Sequence, residues 1–176
     1  MLIHLSEVFT CEGKKKTVQT EIGFDSILSA DKETYPILEK EPFFVTITNL
    51  GEKKVSIQAE VKLVLEIPCA RCLEPVVYPC ELSIEREVDL NETSEQRAKD
   101  LDEQPYINGY NLDADELVHH EILLALPMTV LCREDCQGLC SRCGKNLNDG
   151  KCDCDQGETN LQMSAFQDIL KQFKEV

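Results

Sequence analysis

The fold of this chain is decided by Val55-Ser-Ile-Gln-Ala-Glu-Val-Lys-Leu-Val-Leu-Glu-Ile67. Apolar residues occupy every second position of this stretch, which is the period of a strand with one buried face. A second alternating stretch, residues 76–90, returns after a turn framed by Pro68 and Pro75. Strands joined by so short a connection pair antiparallel. The pattern predicts an α+β fold whose body is an antiparallel, β-rich meander.

The rest of the first half also favours strands. Residues 42–48 are rich in β-branched and aromatic side chains, and residues 49–52 follow as a turn. Looser alternation over residues 2–9 predicts a further strand. We expect residues 14–22 to be its partner, after a turn at Gly13.

Two helices are predicted in the second half. Asp113 with Glu116 three residues on is typical of a capping box, and Pro127 ends that helix, near residues 114–126. A C-terminal amphipathic helix is indicated by an apolar stripe, which consists of Leu161, Ala165, Ile169 and Phe173.

These elements suggest two parts. Residues 1–131 form the β-rich body, which includes an acidic loop at 89–105 and the helix near 114–126. Residues 132–176 form a zinc-knuckle segment and the C-terminal amphipathic helix. The acidic loop is interpreted as a solvated charge run, with a docking site for a basic partner as the alternative.

Eight of the ten cysteines occur as four close pairs, namely Cys69/Cys72, Cys132/Cys136, Cys140/Cys143 and Cys152/Cys154. A pair two to four residues apart places two sulfurs on one side of a tight turn. Two such pairs make the tetrahedral thiolate cage that zinc prefers. The last two pairs are separated by eight residues that include Gly144, which favours a local knuckle. We expect Cys140, Cys143, Cys152 and Cys154 to bind one Zn²⁺ ion.

The remaining pairs leave two arrangements open. Cys69, Cys72, Cys132 and Cys136 would hold a second Zn²⁺ ion that staples the strand-rich body to the chain leaving the first helix. Alternatively, Cys132, Cys136, Cys140 and Cys143 would share one site and leave the other cysteines free. The expected cofactor is therefore one or two zinc ions.

The net charge of the chain and its expected cellular compartment limit the range of functions. The formal net charge is −15, from 33 acidic and 18 basic residues, so the chain has no global attraction for nucleic acid. No stretch has the ~20 apolar residues of a membrane helix, and the first residues lack the pattern of a signal peptide. We expect a cytoplasmic protein, in which clustered cysteines are metal ligands rather than disulfides.

Enzymatic interpretations find little support. Cys69-Ala-Arg-Cys72 has the spacing of a thiol redox pair, but such a pair usually opens a helix after a strand. His119, His120, Glu116 and Glu121 are interpreted as ordinary helix residues. A four-thiolate zinc site has no open coordination position for catalysis. We expect no enzymatic activity, with thiol redox chemistry at Cys69 and Cys72 as the rival.

Three segments together resemble the YceD family, the large ribosomal RNA subunit accumulation proteins. They are Cys69-Ala-Arg-Cys72-Leu-Glu-Pro75, Glu121-Ile-Leu-Leu-Ala-Leu-Pro127 with Cys132 downstream, and Cys136-Gln-Gly-Leu-Cys140-Ser-Arg-Cys143-Gly-Lys-Asn-Leu-Asn148 with Cys152-Asp-Cys154. The last is similar to the cysteine-rich ending of members from Gram-positive-type bacteria. The resemblance implies a non-enzymatic role in the processing or accumulation of 23S ribosomal RNA, and hence in large-subunit biogenesis.

The acidic charge suits a basic ribosomal protein or an rRNA-processing factor as partner, with precursor rRNA reached indirectly. Direct RNA binding by the zinc segment is the remaining alternative. Residues 132–155 disfavour it, because they carry four basic and five acidic side chains. Neither the partner nor the oligomeric state follows from the sequence.

Overall fold

Nine β-strands and one α-helix make up the described part of the protein. This computed structural model describes residues 1–29, 32–91 and 104–154. The strands are β1 (Leu2–His4), β2 (Lys15–Thr20), β3 (Ser26–Leu28), β4 (Thr34–Lys40), β5 (Phe43–Gly51), β6 (Lys54–Pro68), β7 (Pro75–Asp89), β8 (Ile107–Asn108) and β9 (Asn111–Asp113). The helix is α1 (Ala114–Ala125), and single 3-10 turns lie at Val8–Thr10 and Leu147–Asp149. The described chain is thus mostly antiparallel sheet with one helix, in rough agreement with the predicted α+β class.

The β6–β7 hairpin is the centre of the fold, and its prediction is confirmed. The two strands pair antiparallel over their full 15 residues, from Lys54 with Asp89 to Pro68 with Pro75. Every second residue of β6 is buried from Val55 to Ile67, and the intervening residues face outward. The single buried face of this hairpin forms one wall of the hydrophobic core.

Strands β2 to β5 extend the sheet on the other side of β6, whereas β1, β9 and β8 form a separate three-stranded sheet. β5 pairs with the first half of β6 and β4 with the second half, both antiparallel. Pro42 lies between β4 and β5, where a residue without an N–H interrupts the ladder. β2 and β3 then pair with β5 and β4, respectively. Strands β5, β6 and β7 therefore follow one another as the predicted meander, and β4 lies beside β6 on the same edge as β5.

The expectation that residues 2–9 pair with residues 14–22 is wrong. β1 pairs with β9, whereas β2 pairs with β5. The reason lies in the apolar residues Leu5 and Val8, which are three apart and both fully buried. The Val8 N–H donates to the Leu5 carbonyl at 2.9 Å, so the chain turns into the core after His4 instead of extending.

α1 packs against β7 and closes the core. The side chain of Asp113 caps its N-terminus by accepting a hydrogen bond from the Asp115 N–H at 3.1 Å. Leu117, Val118 and Ile122 are buried beneath it. Pro127 follows the end of the helix, as predicted.

One inward polar contact was missed by the sequence interpretation of Glu121 as an ordinary helix acid. The Arg86 guanidinium donates to both carboxylate oxygens of Glu121, at 2.6 and 3.0 Å, and Glu121 is only 9% exposed. The available signal was that Arg86 occupies an inward position in the alternation of β7. A buried carboxylate requires such a bidentate partner.

Some expectations fall outside the described residues. These are most of the acidic loop, from residue 92 to 103, and the C-terminal amphipathic helix. Within the described ranges, the structure contains no helix with the length and apolar character to cross a bilayer.

Candidate metal centre

Four cysteines from two distant parts of the chain meet at one end of the β6–β7 hairpin. The sulfurs of Cys69, Cys72, Cys132 and Cys136, here called the long-range cluster, all lie within 4.8 Å of one another. Cys69 Sγ is 3.8 Å from Cys136 Sγ, and Cys72 Sγ is 3.6 Å from Cys132 Sγ. Four sulfurs bound at about 2.3 Å around one tetrahedral zinc ion are separated by about 3.8 Å. The cluster therefore has the dimensions of a four-thiolate zinc cage.

Cys69 and Cys72 are placed by the turn between β6 and β7. The Cys69 N–H donates to the Glu74 carbonyl at 2.8 Å, and the Leu73 N–H donates to the Cys69 carbonyl at 2.9 Å. Leu73 takes a positive φ of 62°, which closes the turn tightly. The Arg71 N–H points at Cys69 Sγ from 3.5 Å. Amides directed at sulfur favour the thiolate form that a metal requires.

Cys132 and Cys136 are held against this turn by the chain that leaves α1. The Ala70 N–H donates to the Val130 carbonyl at 2.8 Å, and the Arg71 side chain donates to the Cys136 carbonyl at 2.8 Å. Arg71 thus orients a ligand from each half of the cluster. Cys69, Cys72 and Cys136 are buried with at most 4% exposure, and Cys132 is more exposed.

The acidities of two thiols in the long-range cluster diverge. Burial opposes ionisation of Cys69, but hydrogen bonds from the N–H groups of Arg71, Cys132 and Cys72 outweigh it and lower its pKa to about 6. The Glu74 N–H favours the Cys72 thiolate, yet burial and the neighbouring sulfurs raise the pKa of Cys72 to about 12. Several thiolates cannot gather here unless a cation offsets their repulsion.

The other four paired cysteines form a second group, here called the local cluster. The sulfurs of Cys140, Cys143, Cys152 and Cys154 also lie within 4.8 Å of one another. The Gly144 N–H donates to the Cys140 carbonyl at 2.9 Å, and Gly144 has a positive φ of 71°. This tight turn places Cys140 and Cys143 on one side of the chain, as a knuckle requires. Of the four, Cys140 is buried and Cys143 is exposed, while the other two are intermediate.

In the local cluster, as in the long-range cluster, the pKa values of two thiols are shifted in opposite directions. Hydrogen bonds from the N–H groups of Cys143 and Arg142 lower the pKa of Cys140 to about 6. The sulfur of Cys143, together with burial, raises the pKa of Cys154 to about 12. Both clusters therefore present at least one acidic thiol and at least one thiol that ionises only beside a cation.

The two clusters are joined through the segment between Cys136 and Cys140. The Leu139 N–H donates to the Arg71 carbonyl at 3.1 Å. At Gly138, φ is +74°, and a Cβ atom would lie 2.9 Å from that same carbonyl oxygen. Glycine is required here on both counts.

Asparagine side chains complete this junction. Asn148 donates to Cys136 Sγ at 3.3 Å and accepts from the Gln137 N–H at 2.8 Å. Asn146 donates to Glu74 at 2.8 Å. A residue of the local loop thus contacts a sulfur of the long-range cluster. The sequence interpretation missed both asparagines, because neither carries a metal-binding signal.

The structure brings together all eight cysteines of the predicted pairs, in the first of the two arrangements that the spacing left open. That these thiols bind metal remains a prediction. Cys80 is buried in the main core and Cys11 is exposed, and neither belongs to either cluster. His119 packs edge-on against Phe24, and His120 is tilted against Tyr106, so both lie apart from the cysteines.

The match to a known family covers most of the hairpin and nearly all of the second half of the chain. The model of the family described as "Large ribosomal RNA subunit accumulation protein YceD" matches residues 57–174. An uncharacterized protein of Mycobacterium tuberculosis is 29% identical over 79 residues, which are 45% of this chain and 38% of that protein. The chain thus matches well under half the length of that relative.

Two further relatives are similar. The chloroplastic "Large ribosomal RNA subunit accumulation protein YCED homolog 1" of Arabidopsis thaliana is 35% identical over 60 residues, which are 34% of this chain and 17% of that protein. The uncharacterized protein YlbN of Bacillus subtilis is 25% identical over 125 residues, which are 70% of this chain and 71% of that protein. No solved structure matches. The family match extends over well more than half of the chain, and the protein belongs to the YceD family.

Proposed function

We propose that this protein is a zinc-stabilised, non-enzymatic factor for 23S rRNA accumulation and large-subunit biogenesis. The observation that carries the proposal is the YceD family match over residues 57–174, because that family is described by large ribosomal RNA subunit accumulation. The partner we propose is a basic ribosomal protein or an rRNA-processing factor. A protein of net charge −15 attracts basic proteins and repels bare RNA.

The proposed cofactor is one Zn²⁺ ion in each cluster. The two sulfur separations of 3.6 and 3.8 Å in the long-range cluster are close to those around a tetrahedral zinc ion. Zinc would supply the positive charge that lets high-pKa thiols such as Cys72 and Cys154 ionise. Four protein ligands leave no position for water or substrate, so the role is structural.

A test of the function follows rRNA in cells depleted of the protein. We expect mature 23S rRNA to fall relative to 16S rRNA, with precursor large-subunit RNA accumulating. Wild-type protein and the Cys11→Ser variant, which alters a cysteine outside both clusters, should restore the ratio. Cys136→Ser should not. An unchanged ratio in depleted, growing cells would rule out the proposed function.

One observation favours a second candidate, a thiol redox protein. The pKa of Cys69 is lowered to about 6, within the range of reactive cysteines. However, Cys69 is fully buried, and the four-sulfur cage surrounds it. Disulfide-reductase assays on the zinc-loaded protein separate the two functions. Turnover that is lost in Cys72→Ser would favour the redox function.

A further inference from the structure

An apolar groove lies beside the long-range cluster and shares Cys69 with it. Its volume is about 570 Å³, and its walls include Leu28, Leu73, Leu123, Leu126, Met128 and Val130. Cys69 and Leu73 come from one segment of the family resemblance, and Leu123 and Leu126 come from another. The turn between β6 and β7 and the end of α1 thus form a single surface.

The groove concentrates aliphatic side chains that are open to solvent. Leu28 is 56% exposed, Leu73 is 65% exposed and Met128 is fully exposed. Single exposed apolar residues are ordinary, but a contiguous set around a concavity is typical of a protein-binding surface. Its apolar character requires an occupant with a complementary apolar face.

The electrostatic surroundings of the groove are negative. Among the described residues that line the groove, Glu33 is the one that carries a charge, and none is lysine or arginine. The negative end of the α1 dipole lies at Leu126, and the last turn of α1 carries no basic residue. Cys69 also lines the groove, and a zinc-loaded long-range cluster has a formal charge of about −2. These three sources favour an occupant that brings positive charge.

Charge also distinguishes between possible occupants of the groove, which include the C-terminal segment and a second copy of the protein. The chain beyond residue 154 carries four acidic residues, Asp155, Glu158, Asp168 and Glu175, against Lys171 and Lys174. A second copy of the protein carries a net charge of −15. Both are acidic and therefore match the groove poorly.

We propose that the groove binds a basic amphipathic helix of a partner protein, with leucine-type side chains seated between Leu73 and Met128 and with lysine or arginine beside Glu33 and the end of α1. An amphipathic helix offers an apolar stripe and a charged face from one segment. The inference rests on the proposed function, since it locates the surface at which a basic ribosomal partner binds.

The test uses the full-length, zinc-loaded protein and three fluorescent 18-residue peptides. The first is a helical peptide with leucines on one face and lysines on the other. The second replaces the lysines by glutamates, and the third scrambles the first so that its leucines no longer share a face. We expect the first peptide to bind at least about tenfold more tightly than either control, as measured by fluorescence anisotropy.

Variants then locate the binding. Leu123→Ser with Met128→Ser should weaken binding of the lysine peptide about tenfold or more. Glu33→Lys should weaken the lysine peptide about threefold and strengthen the glutamate peptide. Phe44→Ser is the matched control, because Phe44 is also 57% exposed but does not line the groove. Unchanged binding in the first variant, or equal loss in the control, would overturn the proposal.

Other occupants give different results. If residues 155–176 fill the groove, the lysine peptide will bind only after their removal. If a second copy fills it, the protein will self-associate, and Met128→Ser will abolish the association. Either result overturns the proposal.

Measurement of 23S rRNA in cells distinguishes a failure of this inference from a failure of the proposed function. If depletion lowers 23S rRNA but the Leu123→Ser, Met128→Ser variant restores it fully, the groove inference fails and the function stands. If the groove binds as expected while depletion leaves 23S rRNA unchanged, the function fails and the binding surface stands.

Discussion

The long-range and local clusters each offer four thiols but are anchored differently. Cys69 and Cys132 are 63 positions apart in the sequence, whereas the local cluster closes within residues 140–154. Three sulfurs of the long-range cluster belong to buried residues, against one in the local cluster. A cross-link that closes a long loop restricts the unfolded chain more than one that closes a short loop. With zinc bound, the long-range cluster would therefore secure the fold, whereas the local cluster would shape a surface loop.

The largest effect is expected from removing one ligand of the long-range cluster, compared with one ligand of the local cluster. Cys136→Ser should lower the free energy of unfolding of the zinc-loaded protein by at least about 3 kcal/mol, because it opens the site that ties the hairpin to the chain after α1. Cys143→Ser should cost about 1 kcal/mol, since its site holds only a local loop. Urea unfolding monitored by circular dichroism measures both, with Cys11→Ser as the control. Equal losses would contradict the comparison.

The junction between the clusters is tested without touching a cysteine. Gly138→Ala should lower the free energy of unfolding by about 2–4 kcal/mol, because it combines a positive φ with a close contact to the Arg71 carbonyl oxygen. Gly144→Ala is the matched control. It has a similar φ but no atom within 4 Å of the added Cβ, so only the backbone cost of about 1–2 kcal/mol remains. Losses of the same size would mean that the contact with Arg71 does not matter.

During metal removal, the two clusters should lose their zinc ions at different times. We expect a chelator to remove the local zinc first, since Cys143 is exposed, and to leave the strand signal in circular dichroism unchanged. Loss of the second zinc should coincide with unfolding. Native mass spectrometry counts the ions at each stage. The Cys143→Ser protein should show the second step alone, and simultaneous loss of both ions from the wild type would contradict the difference in anchorage.

The smallest expected effect concerns thiolate chemistry, in which the clusters should agree. The pKa values of Cys69 and Cys140 are lowered to about 6, so both thiols are ionised at pH 7 without metal. Zinc binding at pH 7 should therefore release fewer than four protons per cluster, and the number should approach four below pH 6.

The same shifts set the pH dependence of the metal-free fold. A lowered pKa contributes stability that is fully present above the unfolded value of 9.0 and is lost as the pH falls through about 6. Calorimetry of zinc binding in buffers of different ionisation enthalpy measures how many protons are released at each pH. Four protons released at pH 7 would show that neither Cys69 nor Cys140 is ionised beforehand.

Much of the fold was predictable from local sequence patterns. The alternation from Val55 to Ile67 reports burial on one face of a strand, and this property depends only on neighbours along the chain. Pro127 likewise ended α1 where the sequence indicated. The pairing of residues 2–9 was not predictable in this way, because Leu5 and Val8 turn inward only when a core exists to receive them.

In the candidate site, too, local features were predictable and contacts between distant residues were not. Spacing identified the four cysteine pairs but left the partner of Cys132 and Cys136 open. The junction contacts of Gly138 and Asn148 carried no signal of their own, because they act only once the local loop lies against the turn at Arg71. For the Arg86–Glu121 contact, the sequence indicated only the inward position of Arg86 and not its partner, since the two residues come from different elements.

By itself, the sequence determined the strand-rich body, the position of α1 and the thiol pairs, because each follows from side chains close together in the chain. Only the tertiary structure decided that Cys69 and Cys72 face Cys132 and Cys136, and that the turn carrying Leu73 meets the end of α1 to form a groove. These features join residues 50 to 67 positions apart, and such contacts form only when the whole core gains enough from burial to offset the entropy of closing the loop between them.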